Sequence, residues 1–186
     1  MELYIGIVVV VLIALYVAAA YNGLVRNRNQ SESAWRQIDV QLKRRHDLIP
    51  NLVEATKDYM SYEQETLREV VEARNQATQA AESGDRHASI LAEQGLGAAL
   101  GRFMALFEAY PDLKANQTVA DLTEQLTTTE NRIAFARQHY NETVESMNTR
   151  VESFPVNLFA GTFGFGRLEY FETPEPERAA VKVDLR

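Results

Sequence analysis

The residue types able to move protons, attack carbonyls or hold metals gather in one short stretch of this chain. "RRHDLIP", residues 44–50, places Arg44, Arg45, His46 and Asp47 side by side ahead of Pro50. The two other histidines are His87 and His139. In a helical protein such residues suggest a di-iron centre, in which Glu-x-x-His pairs on facing helices bind the metal. Three residues before the histidines, however, stand Lys43, Gly84 and Ala136, and none is a carboxylate. His-Glu-x-x-His is absent as well. The chain has no cysteine, which removes thiolate nucleophiles, disulfides and Cys-ligated metals. There is no Gly-x-Ser-x-Gly elbow and no phosphate-binding glycine loop. The glycines of "GTFGFG" (161–166) alternate with phenylalanines, a pattern of apolar contact rather than of a phosphate cradle. Glu63/Glu65, Glu69/Glu72 and Glu142/Glu145 have the spacing of a solvated acidic helix face. No catalytic, cofactor-binding or metal-ligating residue is expected.

The remaining question is what the elements around these residues build. In 186 residues there are only nine glycines and five prolines, and the middle of the chain is rich in Ala, Glu, Gln, Leu and Arg. That composition favours helix. A formal charge of −7 argues against general nucleic-acid binding, which needs Lys and Arg to neutralise phosphates. Residues 3–20, "LYIGIVVVVLIALYVAAA", carry no charge. As a helix they reach ~27 Å, close to the hydrocarbon thickness of a bilayer. Tyr4 and Tyr21 flank the run where aromatic rings favour the headgroup region, and Arg26 and Arg28 follow. A signal peptide would place its basic residues first, whereas the early charge here is Glu2. A retained single span is expected, with the N-terminus outside and the rest cytoplasmic by the positive-inside rule.

Behind this anchor (1–21) the pattern is amphipathic over 22–154. Trp35, Ile38, Leu42, Arg45, Ile49 and Leu52 share one helical stripe. Nothing between Ala20 and Trp35 breaks a helix, so the first bundle helix continues from the span. Lys43, Arg44 and Arg45 then suit a final helical turn, Asp47 an N-cap and Pro50 a first turn, which predicts a helix–helix corner at 43–50. A second helix follows with Val53, Met60, Leu67, Val70 and Ala77, ending at Gly84, and Asp85 can cap the next. The third carries Ile90, Leu91, Leu100, Phe103 and Phe107 to Tyr110-Pro111, and its Gly95–Gly101 stretch would let a neighbour approach closely. The fourth keeps near-heptad, coiled-coil-like spacing from Val119 to Phe154. Trp35 and Tyr140 lie on apolar stripes and read as core. The fold class expected is all-α: a transmembrane helix running into an antiparallel four-helix bundle. The tail, 155–186, is rich in Phe and Gly, with short strands expected at Leu168–Phe171 and Val181–Leu185. Phe154, Phe159, Phe163, Phe165, Tyr170 and Phe171 are its candidate interaction surface.

Five blocks carry a family resemblance in fixed order: "YNGLVRNRNQSESAWRQIDVQLKRRHDLIPNLVEATKDYMSYE", "FEAYPDLKANQ", "TENRIAFARQHYNETV", "FPVNLFAGTFGF" and "EYFE". Together they resemble the LemA family from about Tyr4 to Val183. One small departure is Thr56-Lys57-Asp58-Tyr59, where the family more often has Val-Lys-Gly-Tyr. The resemblance implies a bacterial membrane protein with one N-terminal span and a helical-bundle domain. It implies no enzymatic activity, cofactor or catalytic residue, and a magnetosome-associated relative suggests membrane organisation. The expected function is a non-enzymatic scaffold that self-associates at the cytoplasmic face of a bacterial inner membrane. The expected partners are the bilayer, further copies of the chain and other membrane or envelope proteins. The alternative is a tethered adaptor that recruits a different protein, such as a protease or envelope factor.

Overall fold

A computed structural model of the chain describes residues 1–171. The fold is all-α, with no strand among the described residues. The helices are α1 (Glu2–Thr56), α2 (Gln64–Ser83), α3 (Arg86–Leu106), α4 (Pro111–Ala115) and α5 (Gln117–Glu152). Short 3₁₀ turns occupy Phe107–Ala109, Val156–Leu158 and Gly161–Phe163. Two compact units share α1 and α5.

The corner expected at 43–50 is not there. α1 runs unbroken through it with Pro50 inside the helix. A proline at that position removes one i→i−4 hydrogen bond and orphans the carbonyl four residues back, which is His46. Arg74 of α2 replaces the missing donor, its Nε–H giving a 3.2 Å bond to the His46 oxygen. Cap, cation and proline signals each fit a corner locally, but a side chain from another helix repairs the one real defect. Asp47 is therefore an exposed mid-helix residue and not an N-cap. The repair is testable as a cycle. Arg74→Met should cost about 1–2 kcal/mol, the penalty of an unsatisfied half-buried carbonyl. In a Pro50→Ala background the helix supplies its own N–H, and the cost of Arg74→Met should fall toward zero in chemical denaturation. Equal costs in both backgrounds would show that Arg74 does not serve this carbonyl.

One unit comprises residues 39–134 together with Phe171. The second expected helix begins later than its apolar pattern suggests, because 57–63 forms a turn in which Asp58 and Ser61 are favourable residues. Met60 in that turn is fully buried and keeps the apolar register without helix. Gly84 ends α2 in the left-handed conformation (φ 74°), and Asp85 caps α3 by accepting from the Ala88 N–H. Asn116 caps α5 in the same way, through the Val119 N–H at 3.2 Å. The core of this unit joins Ile49 and Leu52 to Leu67, Val70, Leu96, Leu100, Phe103 and Leu126. Phe103 and Phe107 meet edge to face at 5.0 Å. The glycines of α3 do not serve close packing: a Cβ on Gly95, Gly97 or Gly101 would meet nothing within 4 Å.

The other unit comprises residues 1–38 and 135–170. Leu24, Met147, Val156, Ala160 and Phe165 form its core, with Ala20, Val151 and Phe159 packed around them. Trp35 and Tyr140 are buried and meet edge to face at 5.2 Å, as their stripes require. Asn27 donates to Ser146 Oγ at 3.2 Å, and a Cβ on Gly23 would press 2.5 Å from the Arg150 guanidinium. α5 stops just before Pro155, and Gly164 (φ 74°) closes the 3₁₀ turn Gly161–Phe163.

Leu168–Phe171 is irregular chain, not the expected strand. Its backbone is satisfied by side chains instead of by a neighbouring strand. Buried Asn148 donates to the Leu168 carbonyl at 3.0 Å and accepts from the Leu168 N–H at 2.7 Å. The Tyr140 hydroxyl donates to the Glu169 carbonyl at 2.9 Å. The second expected strand, Val181–Leu185, lies outside the described residues. Asn148→Ala removes both bonds to Leu168 and should cost about 2 kcal/mol. Limited proteolysis should then cleave near Arg167 earlier than in the native chain. Unchanged cleavage would mean that the asparagine does not hold the tail.

Candidate functional site: a buried charge cluster and an exposed apolar helix

Arg45 occupies the apolar stripe of α1 and is only 1% exposed. Its guanidinium pairs with Glu93 of α3 and, at 2.8 and 3.1 Å, with both oxygens of Glu130 on α5. Glu93 is equally buried, and its second oxygen takes a 2.7 Å bond from His46 Nε2. His46 Nδ1 faces the Thr78 hydroxyl oxygen at 3.4 Å, and that hydroxyl donates to the Arg74 carbonyl at 3.0 Å. Three helices thus place four ionisable groups in one network, with Arg45, His46 and Glu93 buried and Glu130 half-exposed at its edge. All four lie on core-facing positions: Glu93 falls three residues from Ile90 and three from Leu96, and Glu130 three from Ile133. Charged residues in apolar register are the available signal: Arg45 stands on the stripe from Trp35 to Leu52, although its place beside Lys43 and Arg44 also suits a final helical turn.

The electrostatics follow from burial and pairing. Burial alone opposes charge on Arg45, but Glu93 and Glu130 outweigh it and hold its pKa above the ordinary arginine value. Burial likewise opposes charge on Glu93, and the hydrogen bond from His46 with the Arg45 charge brings its pKa below the ordinary carboxylate value. Asp39, at the nearby surface, is pushed upward by partial desolvation and by Glu93, with Arg86 opposing. For Glu93 the unfolded state binds its proton more tightly than the folded state. Its stabilisation is therefore complete above the unfolded carboxylate value of about 4.3. It is lost as pH falls through the depressed folded value. The Asp39 contribution has the opposite sign, since protonation relieves its penalty. Melting temperature measured from pH 7 to 3 should fall more steeply in the native chain than in Glu93→Gln. Parallel profiles would place the acid sensitivity elsewhere.

Chemically the cluster is closed. His46 borders a surface groove of about 420 Å³ lined also by Asp39, Lys43, Arg74 and Thr78, but both of its ring nitrogens face partners inside the fold. Among the described residues no group of three or more His, Asp or Glu is placed to hold a metal ion.

The second feature is the start of α1. Residues 3–16 are exposed along their whole length, with every face of the helix apolar. The 18-residue apolar window within α1 is 0% buried, whereas that within Arg86–Ala109 is 39% buried and contributes to a core. Tyr4, Tyr21, Arg26 and Arg28 are exposed, and the Arg28 guanidinium lies 5.2 Å over the Phe165 ring. The six tail aromatics divide. Phe165 and Phe171 are buried, Phe159 is half-buried, and Phe154, Phe163 and Tyr170 face outward.

Comparison with known proteins adds the relationship. The LemA family model matches residues 34–185. Among curated relatives, magnetosome protein MamQ 2 of Paramagnetospirillum magneticum is 27% identical over 175 residues, covering 82% of this chain and 64% of that protein. Magnetosome protein MamQ of Magnetospirillum gryphiswaldense is 26% identical over 174 residues, covering 81% and 64%. Protein LemA of Metamycoplasma hominis is 24% identical over 160 residues, covering 86% and 72%. The chain thus spans about 64% of the length of its MamQ relatives. With the family model covering four-fifths of its residues, from the stripe of α1 to the tail, the chain belongs to the LemA family.

Proposed function

We propose that the chain is a membrane-anchored, non-enzymatic scaffold whose first ~20 residues span a bacterial inner membrane once and whose helical body self-associates on the cytoplasmic face. One observation carries this reading. α1 is a single helix that is apolar and exposed over residues 3–16 yet supplies core residues from Leu24 onward. In water so large an apolar surface is costly, at about 25 cal/mol per Å². In a bilayer it is the favoured face. Arg26 and Arg28 just beyond it favour a cytoplasmic body.

The body we infer is an antiparallel four-helix bundle over 22–154, with 155–186 as its tail. Contacts of Gly23 with Arg150 and Asn27 with Ser146 support opposed directions for α1 and α5 in that unit. The closed cluster around Arg45 supports a structural role: it ties α1, α3 and α5 in one register, a use of buried polar groups with precedent. The magnetosome naming of two relatives agrees with a role in organising membranes. Cross-linking in whole cells tests the reading. A ladder of adducts at multiples of the chain mass is the expected result. A single adduct with a different protein would favour a tethered adaptor, and no adduct at all would remove self-association.

A further inference from the structure

The turn that follows α5 carries outward apolar side chains that no core uses. Phe154 is 80% exposed and Leu158 71% exposed, and Phe163, edge to face with Phe159 at 6.0 Å, keeps 46% of its surface outward. Their neighbours in sequence do the opposite: Val156 and Ala160 are buried against Leu24, with Ala20 packed at the edge. The turn is thus amphipathic, with one side on α1 and the other facing away. Its position along α1 is defined by ring contacts. Phe163 meets Tyr21 edge to face at 5.4 Å, and Phe165 meets the same ring at 5.5 Å. Tyr21 follows directly on the uncharged run, so the outward side chains continue the apolar surface of residues 3–20 at its inner end.

Arginines stand around this turn and the start of the body. Arg150 lies against Gly23, Arg28 lies over Phe165, and Arg167 pairs with Glu152 at 3.0 Å. Glycine at position 23 is what leaves room for the Arg150 guanidinium. An aromatic and aliphatic edge ringed by arginine, set where a span leaves the hydrocarbon, has the chemistry of the interfacial zone. Rings and methyl groups enter the acyl boundary there, and guanidinium groups meet lipid phosphates.

We propose that the turn bearing Phe154, Leu158 and Phe163 seats in the headgroup region of the bilayer that receives α1, so that the chain grips its membrane through two elements. The inference rests on the membrane anchor proposed above. It assigns the outward tail residues to lipid rather than to a second protein. The seat also fixes the angle at which this unit stands on the membrane, because the turn is bonded to α5 and packed on α1.

The absence of cysteine makes the test direct, since single-cysteine variants of the full chain need no background substitutions. Nitroxide labels at Leu12→Cys, Phe154→Cys, Leu158→Cys and Phe135→Cys, each at an exposed position, report depth in vesicles containing anionic lipid. The readout is the ratio of collisions with oxygen to those with a water-soluble nickel complex, and far-UV helicity confirms folding. Expected is a high ratio at 12, an aqueous ratio at 135, and intermediate ratios at 154 and 158. Adding Phe154→Glu and Leu158→Glu should drive a label at Phe163→Cys to the aqueous ratio. Labels at 154 and 158 that are fully aqueous while 12 remains deep would overturn the seat and leave the anchor standing. An aqueous label at 12 would remove both. Labels at 154 and 158 shielded from oxygen and nickel alike would assign the surface to a protein and also overturn the proposal.

Discussion

Glu93→Gln should lower stability by about 3 kcal/mol, toward the low end of the range for breaking a buried ion pair because Glu130 remains beside Arg45. In a chain of this size that is about 6–12 °C in melting temperature. The reason is asymmetric. Glutamine keeps the shape of Glu93 but leaves a guanidinium that is 1% exposed with a single, half-exposed carboxylate. Arg45→Met should cost a similar amount, because Glu93 would then remain buried with only His46 as partner. The double replacement Arg45→Met/Glu93→Gln removes both charges and should cost about as much as one single replacement, well below their sum of about 6 kcal/mol. Such non-additivity is what a coupled pair produces. Thermal unfolding of the detergent-solubilised full chain, followed by circular dichroism, measures all three. Additive losses across the cycle would mean that the two groups act independently, and that the network does not hold α1 against α3.

Val8→Arg/Leu12→Arg should abolish stable membrane residence. Each arginine near the centre of a spanning helix costs about 2.5–3.5 kcal/mol on the insertion scale, so the pair costs about 5–7. Neither side chain touches a core: both are exposed, and the core of that unit begins at Ala20 and Leu24. The loss should therefore appear in partitioning and not in the folding of the body. After cell lysis the variant should move to the soluble or aggregated fraction, with the helicity of residues beyond 20 retained. A variant that still sediments with membranes at native levels would show that residues 3–20 are not what holds the chain there.

Much of this fold was legible because helical periodicity and end signals are local. Gly84 and Asp85 mark a stop and a start, Pro155 a terminus, and the stripe from Trp35 to Leu52 is buried as its spacing requires. Local rules mislead where tertiary contacts override them. Pro50 reads as a helix start because its missing N–H is harmless there, and only Arg74, 24 residues later, makes the interior position tolerable. Leu168–Phe171 reads as a strand because the residues are apolar and aromatic, and Asn148 with Tyr140 supply the hydrogen bonds that a strand would have needed. The charge network was half visible. Arg45, Glu93 and Glu130 stand in apolar register, but which carboxylates meet which cation depends on how three helices pack. Composition groups the tail aromatics together, whereas backbone geometry buries Phe165 and Phe171 and turns Phe154 outward.

All of the functional reading depends on the exposed apolar start of α1 lying in a bilayer. Washing membranes that contain the full-length chain with alkaline carbonate tests this most directly, since the treatment strips proteins held only by surface contacts. The chain should stay with the lipid pellet and leave it only on addition of detergent. Release into the carbonate supernatant would contradict the account.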